Sequence, residues 1–152
     1  MCILRVTGKQ LEVDRHLAVS GLIPDIVFRA GEPRSMAQPA GKRYEVSGFT
    51  VEVSRGSWSS LDDQANDAIG FLKQHESALS SLRAAPDVED MRLDFRVNLR
   101  IDRKTVMAQF DYFPPELVSR AGGLGLGLEI SIYPVDLEAL ARARHTSEGS
   151  VE

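Results

Sequence analysis

The side chains of this sequence with the most chemical potential are a lone cysteine at position 2, histidines at 16, 75 and 145, and arginines at 29, 34 and 43. Cys2 would be a nucleophile if Met1 were removed, with its own α-amine as base. Enzymes of that kind tend to follow the cysteine with glycine, whereas Ile3-Leu4 continues into a strand, so Cys2 reads as an ordinary strand cysteine. His16, His75 and His145 have no metal-ligand spacing, and no HExxH or Cys-His cluster exists, so no metal and no catalytic residue is assigned. Gly122-Gly123-Leu124-Gly125-Leu126-Gly127 has the glycines of a dinucleotide fingerprint in the wrong order: they close a helix and enter a strand, so no cofactor is expected. Arg29, Arg34 and Arg43 flank a Gly- and Pro-containing stretch and are candidates for gripping a small anion bidentately. The plainer reading is that Arg29 pairs with Glu32 or Glu45 and holds the loop down.

The most informative pattern is Met91 to Asp102, where apolar and polar residues alternate strictly. That period places Arg92, Asp94, Arg96, Asn98 and Arg100 on one face of a β-strand, with the other face in the core. A second alternating run, Val106 to Tyr112, follows the turn Asp102-Arg103-Lys104, predicting a β-hairpin that adds Met107, Gln109 and Asp111 to the polar face. Glu129, Ser131 and Tyr133 of the last strand extend it. Arg92, Asp94, Arg96, Asn98, Arg100, Gln109 and Asp111 are therefore the candidate protein-binding residues, since alternating charge can set register against a partner. Reading RNA on an open sheet requires exposed aromatics, and this face offers Tyr133 alone.

The 152-residue chain carries 18 Lys and Arg against 22 Asp and Glu, a net charge of -4 that argues against general nucleic-acid binding. One cysteine excludes an intramolecular disulfide. No apolar run reaches membrane-spanning length, and the first residues lack the pattern of a leader, so a soluble cytoplasmic protein is expected.

The elements that must position these residues read as α+β. Strands are expected at Cys2–Thr7, Ile26–Arg29, Arg43–Ser54 (with a bulge at Ser47-Gly48), Met91–Asp102, Val106–Tyr112 and Leu124–Tyr133. A short helix capped by Asp14 ends at Gly21, and a long central helix runs from Leu61 to Ala84 behind the caps Ser59-Ser60. Another short helix follows Pro114-Pro115, and Val135–Arg144 can form a small amphipathic one. Trp58 is expected to pack as a staple before the long helix. The economical arrangement is one mixed or antiparallel sheet of about six strands with helices mainly on one face, in a single domain spanning 1–144, followed by a tail at 145–152.

Gly21-Leu22-Ile23-Pro24, Phe28-Arg29-Ala30-Gly31-Glu32, Trp58 before the long helix, and Pro115-Glu116-Leu117 through Gly123 to Leu128-Glu129-Ile130-Ser131-Ile132-Tyr133 occur here in one order. In that order they resemble a bacterial domain-of-unknown-function family of α+β domains. The resemblance implies a bacterial cytoplasmic single domain and brings no catalytic residue with it. The leading expectation is a non-enzymatic protein-binding domain, with an immunity or antidote type of protein as the analogy. The alternatives are a small-anion-binding domain or enzyme using the arginine-lined loop, and a homodimer formed through a free sheet edge.

Overall fold

The computed structural model describes residues 1–102 and 104–134. Their order is β1 (Cys2–Gly8), α1 (Val13–Ser20), β2 (Ile26–Phe28), β3 (Ser47–Ser54), α2 (Leu61–Gln74), α3 (Glu76–Ala84), β4 (Asp90–Asn98), α4 (Pro115–Gly123) and β5 (Gly127–Tyr133). The fold is α+β, with one mixed sheet ordered β2-β3-β1-β4-β5. All neighbours are antiparallel except β4 and β5, which run parallel and are joined by a crossover through α4. The anticipated helix at Val135–Arg144 and the tail lie outside the described residues.

One face of the sheet carries Leu4, Val6, Phe49, Val51, Leu93, Phe95 and Val97, and packs against Ala65, Ala68, Leu72, Leu79, Leu82, Leu117 and Ala121 of the helices in a single core. β1 lies at the centre because its residues 2, 3, 4 and 6 are all apolar, which suits a strand flanked on both edges. α1 stops where Gly21 takes φ +67°, a left-handed conformation that costs glycine little. α2 begins at Ser60, whose hydroxyl accepts the amide of Asp63 at 3.4 Å, in line with the capping signal in the sequence.

The structure corrects five expectations. First, five strands replace about six among the described residues, because 106–112 is not a strand and no hairpin forms. The alternation shows that both runs favour extended backbone but does not say what pairs with β4, and the turn lacks the Gly or Asn that a tight hairpin needs. The place beside β4 is taken by β5, whose Leu128 and Ile130 pack on the core, while Phe113 at the end of the would-be strand packs on Phe95 at 4.9 Å between ring centroids.

Second, the long helix is two helices. α2 closes with His75 N–H donating to Phe71 O (3.0 Å), and α3 opens with Leu79 N–H donating to His75 O (2.9 Å). The apolar stripe foreshadows this break, since it has no large apolar member between Leu72 and Leu79. Third, β3 starts at Ser47, and its irregularity lies at Val53, where Cys2 faces Ser54 but Ile3 faces Glu52. Tyr44 is outside the strand, stacked on Phe28 at 4.6 Å, and Phe28 in turn covers Gly48, where a Cβ would lie 2.6 Å from the ring.

Fourth, Asp14 does not cap α1, which has no side-chain cap of its own at Glu12; Asp14 holds Arg29 instead. Fifth, the polar face of β4 is not simply in water, for Asp94 and Asn98 are buried.

Candidate functional site

The candidate binding residues fall into two groups. Arg92, Asp94, Arg96 and Asn98 project from β4 on the face away from the helices. Register sets Glu52, Ile3, Asp94 and Glu129 in one row across four strands, with Arg5 and Arg92 in the next row and Arg96 beside Ser131 in the row beyond. Arg92 bridges Asp90 (2.7 Å) and Glu129 (3.1 Å), and these hydrogen bonds, Asp90's first, hold its guanidinium more firmly protonated. Asp94 reaches Arg5 only at 4.0 Å, and its Oδ1 is buried without a hydrogen bond. Arg96 donates to the Met1 sulfur at 3.3 Å, and Asn98 N–H donates to Trp58 O at 2.9 Å. On this face Arg92 is paired by carboxylates of the sheet, whereas Asp94 Oδ1 and the Nε atoms of Arg5 and Arg96 are buried without a hydrogen bond.

Arg100, Gln109 and Asp111 form the other group, in the irregular stretch between β4 and α4. Arg100 donates its amide to Gln109 Oε1 (2.9 Å) and its guanidinium to Phe110 O (3.2 Å) and Asp111 Oδ1 (2.5 Å), while Gln109 Nε2 donates to Asp111 Oδ2 (2.7 Å). This brace closes the neck of the loop. At its tip Asp102 accepts the Thr105 hydroxyl and the amides of Val106, Thr105 and Lys104, which hold its carboxyl well below the usual carboxylate range.

The two nodes hold out apolar side chains that the alternation had assigned to a hairpin. Met107 and Phe110 are each 87% exposed and Tyr112 67%, with Leu99, Ile101 and Val106 also exposed. Large exposed apolar patches mark contact sites. Phe110 and Tyr112 were missed as surface residues because period 2 fixes which residues share a face, not which face is buried. The loop follows the carboxyl end of a parallel strand, the end at which sheets with crossover connections place their functional loops.

Arg29, Arg34 and Arg43 are engaged by acceptors of their own chain. Arg29 Nη2 donates to both carboxylate oxygens of Asp14 (2.9 and 3.0 Å), and its amide donates to Glu32 (2.9 Å); the bond to Asp14 raises the Arg29 pKa further. Arg34 Nε donates to Arg43 O (3.3 Å) with its guanidinium 5.7 Å from the Tyr44 ring centre, and Arg43 donates to Gly31 O (2.5 Å). The stretch is a folded excursion, tied by Arg34 N–H to Lys42 O and Tyr44 N–H to Glu32 O, both 2.9 Å.

Cys2 is fully buried, and that burial pushes its thiol far above the ordinary value, which removes the thiolate a nucleophile needs. His16 and His75, distant in sequence, line one cleft of about 500 Å³ between α1 and α3. His16 Nε2 is held by Asp87 at 2.8 and 3.0 Å. The pairing was hidden because 71 residues separate the two. Burial raises the Asp87 pKa, but the Glu12 amide and the His16 ring outweigh it and leave the carboxyl below its usual value. Ser81 in the same cleft donates its hydroxyl to Ser77 O (2.9 Å), not to an imidazole. Among the described residues no three His, Cys, Asp or Glu side chains are placed to hold a metal ion, and no helix is long and apolar enough to cross a membrane.

Trp58 is buried and tilts against Tyr133 at 5.0 Å, fixing the end of β5 to the approach to α2. Fully buried Gln64 acts from the helix side, donating to Ser57 O (2.9 Å) and Arg96 O (2.8 Å). No family model, curated protein or solved structure matches the chain.

Proposed function

We propose that this chain is a non-enzymatic protein-binding domain whose contact surface is the loop at 99–113 together with the adjoining polar sheet face. The observation that carries the reading is the braced loop: Met107, Phe110 and Tyr112 are held in solvent by Arg100, Gln109, Asp111 and Asp102. Ordering an apolar loop costs entropy and exposes surface to water, and covering that surface with a partner offsets both. The charged rows beside it would set the orientation of the partner. The family resemblance adds a bacterial cytoplasmic setting, and an immunity-type inhibitor is one protein of this kind. The engagement of Arg29, Arg34 and Arg43 by their own chain favours the protein-binding reading over the anion-binding one.

The test is capture of a partner on immobilised protein, followed by titration with variants. Phe110→Ser should weaken binding by at least about tenfold, the effect of losing a buried aromatic anchor, with the melting temperature unchanged. Charge reversal at Arg96 should weaken it further. A stoichiometric partner indifferent to Phe110→Ser, Met107→Ser and Arg96→Glu would refute this surface.

A further inference from the structure

Among the described residues β5 is a free sheet edge of an unusual kind: it pairs only with β4, and its seven residues include no proline, lysine, arginine or bulge. Those are among the devices by which exposed edges are ordinarily kept from pairing, and the one charge on the strand, Glu129, is engaged by Arg92 at 3.1 Å. The opposite edge, β2, is blunted: it has three residues and is preceded by Pro24. β5 also leaves Ile132 54% exposed on the face that carries the core, with Val118 of the adjacent α4 48% exposed.

We propose that the occupant of this edge is a second copy of the chain, paired antiparallel to β5 about a two-fold axis at Ile130. The sequence Leu128-Glu129-Ile130-Ser131-Ile132 is self-complementary in that register. Ile130 faces its own copy, Leu128 of each protomer faces Ile132 of the other, and Glu129 faces Ser131. Apolar meets apolar on the helix side, no like charges meet on the polar side, and the exposed Ile132 is covered. The two sheets become one continuous sheet, with the β5 edge of each copy removed. The pairing is independent of the loop at 99–113, which stays uncovered in each protomer.

Sedimentation velocity and light scattering of the full chain over a broad concentration range should show a reversible species of twice the 16.7 kDa chain mass. Two variants test the register with opposite signs. Ser131→Glu places a carboxylate opposite Glu129 of the other copy, twice per dimer, and should weaken dimerisation about tenfold. Its own fold is supported, because Arg96 is the in-register neighbour of residue 131. Ser131→Lys should tighten dimerisation severalfold, and both effects should shrink in 1 M salt, where the screening length falls to about 3 Å. In the wild type, amide exchange along β5 should slow as concentration rises through the dimerisation constant. A monomer at every concentration overturns the proposal. So does a dimer indifferent to both variants, or β5 protection that appears only when a different protein is added.

Discussion

Replacing Asp87 with alanine should destabilise the protein through an element the residue does not belong to. α1 has no side-chain cap, and Asp87, in the turn before β4, supplies one from outside: its carboxylate accepts the Glu12 amide at 3.1 Å and the His16 ring at 2.8 Å. Hydrogen bonds to a charged group contribute about 1.5–3 kcal/mol each when buried. The Asp87 side chain is 22% exposed, so the lower end is appropriate, and the two together come to about 2–3 kcal/mol. For a domain of this size that is a fall of roughly 4–12 °C in melting temperature. His16→Ala should cost about half as much, and the double variant less than the sum of the singles, a coupling of about 1 kcal/mol. The pH dependence has a definite sign. The Asp87 pKa is lowered in the folded state. Its contribution is therefore complete above the ordinary carboxylate value of about 3.9 and is lost as pH falls through the lowered one. Urea unfolding at neutral pH and again at a pH below the lowered Asp87 value should show wild type and Asp87→Ala converging in acid. A neutral-pH difference under about 0.5 kcal/mol, or a gap that persists in acid, would refute the capping role.

Gly48→Ala should cost about 1–3 kcal/mol in urea unfolding, because its Cβ would lie 2.5 Å from Val6 O and 2.6 Å from the Phe28 ring. Phe95→Ala, which empties a fully buried site against Phe113, should cost about 3–5 kcal/mol and also reduce partner affinity by loosening the end of the loop. Phe110→Ser should leave stability within about 0.5 kcal/mol of wild type in the same assay, as expected of a surface side chain. Cys2 should resist a thiol reagent at pH 8 in the native protein and react at once in denaturant; rapid native labelling would contradict its burial.

What the sequence made legible was local. The bounds of β1 and α4, the stop of α1 at Gly21, the Ser60 cap and the mixed α+β class all follow from signals a few residues long. Period 2 correctly assigned Met91, Leu93, Phe95 and Val97 to the core and Arg92, Asp94 and Arg96 to the opposite face. It failed at residues 106–112 because alternation carries no information about pairing, and a crossover from β4 through α4 to β5 competes for the same place. The link between His16 and Asp87 and the row Glu52-Ile3-Asp94-Glu129 are products of topology, set by which strands become neighbours. Of the candidate site, Arg100, Gln109 and Asp111 were found for one reason and matter for another. The alternation places them on one face of a hairpin, and in the fold they brace a loop.

The central place of β1 has a consequence for how the chain is made. Its two neighbours are β3, ending at Ser54, and β4, ending at Asn98, so β1 is flanked on its second side only after some ninety further residues have been made. At about 5–20 residues per second, the β4-facing edge of Cys-Ile-Leu-Arg-Val stays open on the ribosome for roughly 5–20 s. Once β3 has been made, a β1–β3 pair formed at that stage would leave its apolar face uncovered, a species on which a chaperone or a neighbouring nascent chain would act. Completion of β4 is the step that ends this exposure.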